Sequence, residues 1–152
     1  MGKEIERKFR VASDAWRASV TKTVHIVQGY LSKDIERVVR VRTADDRGAI
    51  TIKGVTRHAE RAEYEYEIPV GDARELLREL CLKPLIEKTR YYVPQGELAW
   101  EIDVFHAPQD GLIVAEIELP SADHVFERPA WLGEEVTADP RFYNQNITSR
   151  GL

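Results

Sequence analysis

Glu4, Glu6 and Lys8 stand at i, i+2 and i+4. In an extended chain that spacing sets all three side chains on one face and leaves Ile5, Arg7 and Phe9 on the other. Two carboxylates and an ammonium so placed can hold a hard cation and an anion together. Like-charged pairs at i, i+2 recur along the chain: Glu4/Glu6, Arg40/Arg42, Glu63/Glu65, Lys88/Arg90, Glu101/Asp103 and Glu116/Glu118. Such side chains leave a strand roughly 6 to 7 Å apart. A sheet face that is merely solvated gains by mixing signs, because like charges nearby repel. The repeated pairs are expected instead if the charged faces line a tunnel and the apolar faces pack outward. Arginine and lysine suit phosphate oxygens, and carboxylates suit Mg²⁺ or Mn²⁺. A site holding both suits a metal-bound polyphosphate. The competing reading is a β-domain with a solvated charged face, which would turn those pairs outward.

The elements that must carry these pairs follow from alternation and turn residues. Strands are expected over 4–11, 25–32, 37–43, 49–54, 61–70, 84–93, 98–105 and 112–119. Turns are expected at 45–48, 94–96, 108–111 and 131–133, and a close backbone approach at Gly29. Ser13-Asp14 reads as a cap for a short helix through Trp16, and Gly71-Asp72 as a cap for an amphipathic helix to Cys81 with Leu76, Leu77 and Leu80 as its stripe. Short helical pieces are expected near 122–126 and from Asp139, with Pro140 first. The fold class is mainly β (α+β): eight antiparallel strands closed into a barrel with a charged lumen, and a few short helices packed outside.

The 152 residues suit a single domain spanning 1–152 with a sizeable core. A net charge of −4 does not point to a nucleic-acid partner. No apolar run is long enough to span a membrane, and the charged N-terminus does not read as a signal peptide. The single cysteine, Cys81, excludes a disulfide framework and suits a reducing, cytoplasmic setting. His25, His58, His106 and His124 lack the spacing of a zinc motif. With so few helices to cover the outward apolar faces, a homodimer could bury the remainder.

Taken in order, Glu4-x-Glu6-x-Lys8, Gln28-Gly29-Tyr30, Arg40-x-Arg42, Thr51-x-Lys53, Arg61-x-Glu63-x-Glu65, Glu87-Lys88-Thr89-Arg90-Tyr91, Asp103, Glu116-x-Glu118 and Gly133-Glu134-Glu135-Val136-Thr137 resemble the triphosphate tunnel metalloenzymes, the CYTH domain superfamily. Within it the chain looks most like the short bacterial inorganic tripolyphosphatases. The resemblance implies metal-dependent hydrolysis of a triphosphate inside the tunnel, with Mg²⁺ or Mn²⁺ as cofactor. It implies Glu4, Glu6, Asp103, Glu116 and Glu118 for the metal. Lys8, Arg40, Arg42, Lys53, Lys88 and Arg90 would clamp the phosphates, and Glu63 and Glu65 would position or deprotonate the attacking water. Tyr30 would pair with Lys8 near the scissile phosphoryl group or simply pack in the tunnel wall. Glu67 and Glu101 read as rim residues, and Arg61 as a rim salt bridge or a further phosphate contact. An adenylyl cyclase, a thiamine triphosphatase and a non-catalytic polyphosphate-binding module remain alternatives. Longer chains with added recognition elements characterise the first two, and a binding module has no need of the carboxylates.

Overall fold

The computed structural model describes residues 2–106 and 109–147. Its strands are β1 (Lys3–Val11), β2 (Lys22–Ser32), β3 (Val38–Ala44), β4 (Arg47–Lys53), β5 (Glu60–Ile68), β6 (Ile86–Gln95), β7 (Leu98–Phe105), β8 (Ile113–Glu118) and β9 (Leu132–Glu135). All pairings are antiparallel, in the order β5-β4-β3-β2-β6-β7-β8-β1, and β1 pairs back to β5 through Lys3, Glu4 and Ile5. Eight strands therefore close into a barrel with no free edge between them. The first half of β1 is paired to β5. Its second half pairs with β9, through Phe9 with Glu135 and Val11 with Leu132.

β9 corrects the expected turn at 131–133. Gly133 permits the pairing, because a Cβ there would lie 2.9 Å from the Arg10 carbonyl oxygen. The expected helix near 122–126 is also absent: a turn at Ala122-Asp123 leads into chain without regular secondary structure. That path lays Phe126 edge-on against Trp100 at 5.6 Å and against Phe9 at 6.2 Å. The turn expected at 108–111 begins at Pro108, which lies outside the described residues.

The apolar strand faces point outward, and separate covers shield them. Trp100, fully buried, is the hub of the largest cluster with Ile5, Phe9, Ile102 and Ile117. A short 3₁₀ turn (Ala15–Ser19) brings Trp16 to that cluster, and Trp131 packs on Trp100 at 5.4 Å. Helix α1 (Val70–Glu79) covers Val41 of β3 with Ala73 and Leu77. Pro69, not Gly71-Asp72, is its N-cap, and Leu80 is exposed beyond its end. Among the described residues no helix is long and apolar enough to cross a membrane.

Gly29 of β2 lies beneath α1's C-terminal end. A Cβ there would meet Leu85 Cδ2 at 2.7 Å and Cys81 Cβ at 2.9 Å. Gly29→Ala is expected to lower stability by about 1–3 kcal/mol through overpacking, read as a reduced urea midpoint at unchanged slope.

The last segment departs from the expectation that every helical piece lies outside. Val38, Ile86, Phe105 and Val114 lie at the same strand parity as Arg40, Lys88, Asp103 and Glu116. They meet Val136, Phe142 and Ile147 of the C-terminal segment in one buried cluster. Its 3₁₀ pieces (Pro140–Phe142 and Asn144–Asn146), the first opened by Asp139 and Pro140 as expected, thus plug one end of the lumen.

Candidate active site

Barrel order sorts the charges by sign. β7, β8, β1 and β5 are consecutive and carry Glu101, Glu116, Glu118, Glu4, Glu6, Glu63 and Glu65. β4, β3, β2 and β6 complete the circle and carry Lys53, Arg40, Arg42, Lys88 and Arg90. The lumen therefore has an acidic half and a basic half. Lys8 is a cation within the acidic half, and Asp103 sits on β7 at one boundary.

The boundaries are tied by ion pairs. At β4–β5, Lys53 Nζ donates to both Glu4 oxygens at 3.1 and 3.2 Å and lies 3.5 Å from Glu63. At β6–β7, Asp103 takes a two-pronged bond from Arg90 at 2.8 and 2.9 Å, with Lys88 Nζ at 2.7 Å. Burial raises the Asp103 carboxyl, yet Arg90 and Lys88 outweigh it and hold it below the usual range. Asp103 thus serves as counter-ion to two buried cations. It and Lys88 are fully buried in the wall, whereas Glu4, Glu6, Arg40, Arg42, Lys53, Glu63, Glu65, Arg90, Glu116 and Glu118 line the open lumen. Lys8 and Tyr30 line its narrower continuation beside Arg40 and Lys53.

Within each half like charges still face one another, although Lys8 and Lys53 offset part of the acidic side and, against burial, hold Glu6 low. Glu6 of β1 faces Glu118 of β8 in register, and Glu101 faces Glu116; like charges directly opposite are destabilising. Burial, reinforced by Glu4, Glu63 and Glu6, pushes Glu118 up to about 7. On the basic side, burial together with Arg40 and Arg90 brings Arg42 down to about 9. Arg40 Nε is buried without a hydrogen-bond partner among the described residues. One wall carries an excess of negative charge and the other an excess of positive charge.

Comparison with known proteins accords with this layout. Residues 2–146 match the CYTH domain family. The chain belongs to that family. It is 50% identical over 147 residues to an inorganic triphosphatase of Acetivibrio thermocellus, covering 97% of this chain and 94% of the relative. It is 36% identical over 149 residues to an inorganic triphosphatase of Nitrosomonas europaea, covering 95% of each. A crystal structure of an inorganic triphosphatase superposes with a TM-score of 0.66 at 32% identity, covering 96% of this chain and 94% of that one.

In this CYTH domain the donor set fits a hard divalent cation, since the crowded oxygens around Glu118 are the ligands such an ion takes. Among the described residues no three such side chains are already gathered as a metal cage. The lysines account for that. Lys53 occupies Glu4, and Lys8 Nζ lies 3.3 Å from Glu6 and 3.2 Å from Glu116. Burial lowers Lys8, but Glu116, Glu6 and Glu4 outweigh it and keep it firmly protonated.

Several residues join the site that the expected metal and phosphate sets do not include. Glu101, expected at the rim, instead lines the lumen 3.1 Å from Arg90 Nη1, as its shared parity with Asp103 allows. Thr51 hydrogen-bonds both Arg40 and Glu65, at 3.1 and 2.9 Å. Asn144, from the plug, reaches Lys88 at 3.3 Å; nothing local marks a residue whose role depends on the chain returning across the barrel. Arg61 donates to the Gly54 carbonyl at 3.0 Å while lining the narrow end. Glu67 is exposed and paired with Arg47, consistent with the rim.

Proposed function

We propose that this CYTH domain hydrolyses inorganic triphosphate to pyrophosphate and phosphate with a divalent cation, Mg²⁺ or Mn²⁺, bound in the acidic half. The observation that carries the reading is the division of one lumen into facing arcs of opposite sign, each with an excess of like charge. Arg40, Arg42, Lys53 and Arg90 would receive the phosphate oxygens, and Arg40 Nε would find its partner there. Lys88 and Asp103 would hold Arg90 in place from within the wall. Glu4, Glu6 and Glu118, with Glu116 beside them, would hold the cation, which would supply positive charge to offset the negative charge developing on the leaving group.

Hydrolysis requires a water oxygen to bond to the terminal phosphorus while the bridging P–O bond breaks toward pyrophosphate. Glu65 is occupied by Thr51 at 2.9 Å and Arg40 at 3.4 Å. Among the described residues, Glu63 has only the longer contact with Lys53 at 3.5 Å. Glu63 is therefore the better acceptor for the proton of the attacking water, and Glu65 the better anchor for Arg40. Lys8 faces the phosphoryl group from the acidic side.

The open lumen is lined by charged side chains and Asn144. Among the described residues that line it, none offers an apolar surface for an adenine or thiamine ring, and Tyr30, Val38 and Tyr143 stand only in the narrower continuation, which favours the inorganic substrate over the cyclase and thiamine readings. Phosphate release from tripolyphosphate, ATP and thiamine triphosphate, with cyclic AMP measured in parallel, tests the choice. Tripolyphosphate is expected to be turned over fastest; faster release from either organic substrate, or cyclic AMP formation, would overturn it. The uncovered Ile52, Tyr64 and Tyr66 on β4 and β5 are where a homodimer would form. Light scattering that gives the mass of one chain would refute that. The lone cysteine remains the basis for a cytosolic setting.

A further inference from the structure

Gln28 is fully buried on β2 and bridges two lumen groups. Its Oε1 accepts from Arg42 Nε at 2.9 Å and Nη2 at 2.6 Å. Its Nε2 donates to Tyr30 Oη at 3.1 Å. The direction of this chain is fixed chemically. A guanidinium has five donors and no acceptor, so the amide oxygen must face Arg42. The amide NH₂ must then face Tyr30, and the phenol oxygen can only accept from it. The Tyr30 hydrogen is consequently turned away from Gln28. Tyr30 lines the narrow part of the lumen with Glu6, Lys8, Arg40 and Lys53, so the free hydrogen has a phosphate-binding region before it.

We infer that Gln28 is a positioning residue that sets the hydrogen-bond polarity of Tyr30, making the phenol a donor to a substrate phosphate oxygen rather than a base toward water. The inference rests on the triphosphatase reading and deepens it. Arg42, Gln28 and Tyr30 form one relay: the guanidinium orients the amide, and the amide orients the hydroxyl. Register supports the relay, since Gln28 faces Arg42 and Tyr30 faces Arg40 across β2–β3. A purely architectural Gln28, present to hold Arg42, predicts something different.

The two are separated by Gln28→Glu. A carboxylate still accepts from Arg42, but it also accepts from Tyr30, so the phenol hydrogen turns toward it and away from substrate. With tripolyphosphate, kcat is expected to fall roughly 100- to 1,000-fold at little changed KM, the scale of losing one donor to a developing charge. Tyr30→Phe alone should fall by a similar factor, and adding it to Gln28→Glu should lower kcat no further. Wild-type kcat in Gln28→Glu, or an equal Tyr30→Phe penalty in both backgrounds, overturns the inference while leaving triphosphatase activity standing. Wild-type protein that releases no phosphate overturns both. If Gln28→Glu fails to fold, Gln28→Met, of similar length and uncharged, replaces it. It too should lower kcat, and the double variant with Tyr30→Phe should be no worse than the poorer single one; multiplying penalties contradict the relay.

Discussion

Tripolyphosphate turnover is expected to fall roughly 10³-fold in Glu6→Ala, about 4 kcal/mol of transition-state stabilisation, because an oxygen donor is lost where leaving-group charge must be offset. The fold should tolerate the change. Glu6 faces Glu118 in register, so its removal relieves a like-charge contact while giving up the 3.3 Å ion pair with Lys8, which keeps Glu116 at 3.2 Å. Lys8→Ala should also lose most turnover, but by removing a cation that meets phosphoryl oxygens. The two positions then separate by metal response. Raising Mn²⁺ should partly restore Glu6→Asp, whose carboxylate is retained but withdrawn, and should not restore Lys8→Ala. Initial rates titrated with Mn²⁺ test this, and equal restoration of both would show the roles along β1 to be wrongly divided.

Asp103→Ala should be the most destabilising change in the lumen, at about 3–5 kcal/mol, because a buried ion pair broken on one side leaves uncompensated charge. Here it leaves two cations, Lys88 at 2.7 Å and Arg90 at 2.8 Å. For a chain of this size the melting temperature should drop by roughly 6–20 °C. Tripolyphosphate should recover part of that loss, since an anion in the lumen supplies the missing charge to Arg90. The resemblance to tunnel metalloenzymes assigns Asp103 to the metal, whereas its contacts make it a counter-ion. A variant of normal melting temperature that has lost its response to Mn²⁺ would favour the metal assignment; thermal melts with and without ligand decide.

How much of this was legible beforehand depended on the range of the determining contact. Strand alternation and sign pairing are local, and they placed the eight barrel strands and the inward charged face. Glu6, Arg40 and Glu116 could be assigned to one lumen because their parity depends only on near neighbours. β9 could not, because Leu132–Glu135 has little strand character of its own and pairs only because β1 offers the edge that β5 leaves. The segment around Phe126 lacks its expected helix for a similar reason: the rings it packs on, Trp100 and Phe9, are distant in sequence. The plug was invisible as such, since Phe142 and Ile147 meet Phe105 and Val114 only after the barrel has closed. Asp103 shows the converse. Its lumenal parity was readable, but its engagement by Arg90 and Lys88 needed the β6–β7 register.

The division of the lumen into a cation-binding and a phosphate-binding half is tested most directly by initial rates of phosphate release from tripolyphosphate, using protein stripped with EDTA and then titrated with Mg²⁺ or Mn²⁺. Without a cation, Glu4, Glu6, Glu63 and Glu118 would repel the polyanion, so release should be absent and should rise to saturation as either ion is restored. Undiminished release from exhaustively chelated protein would contradict the account.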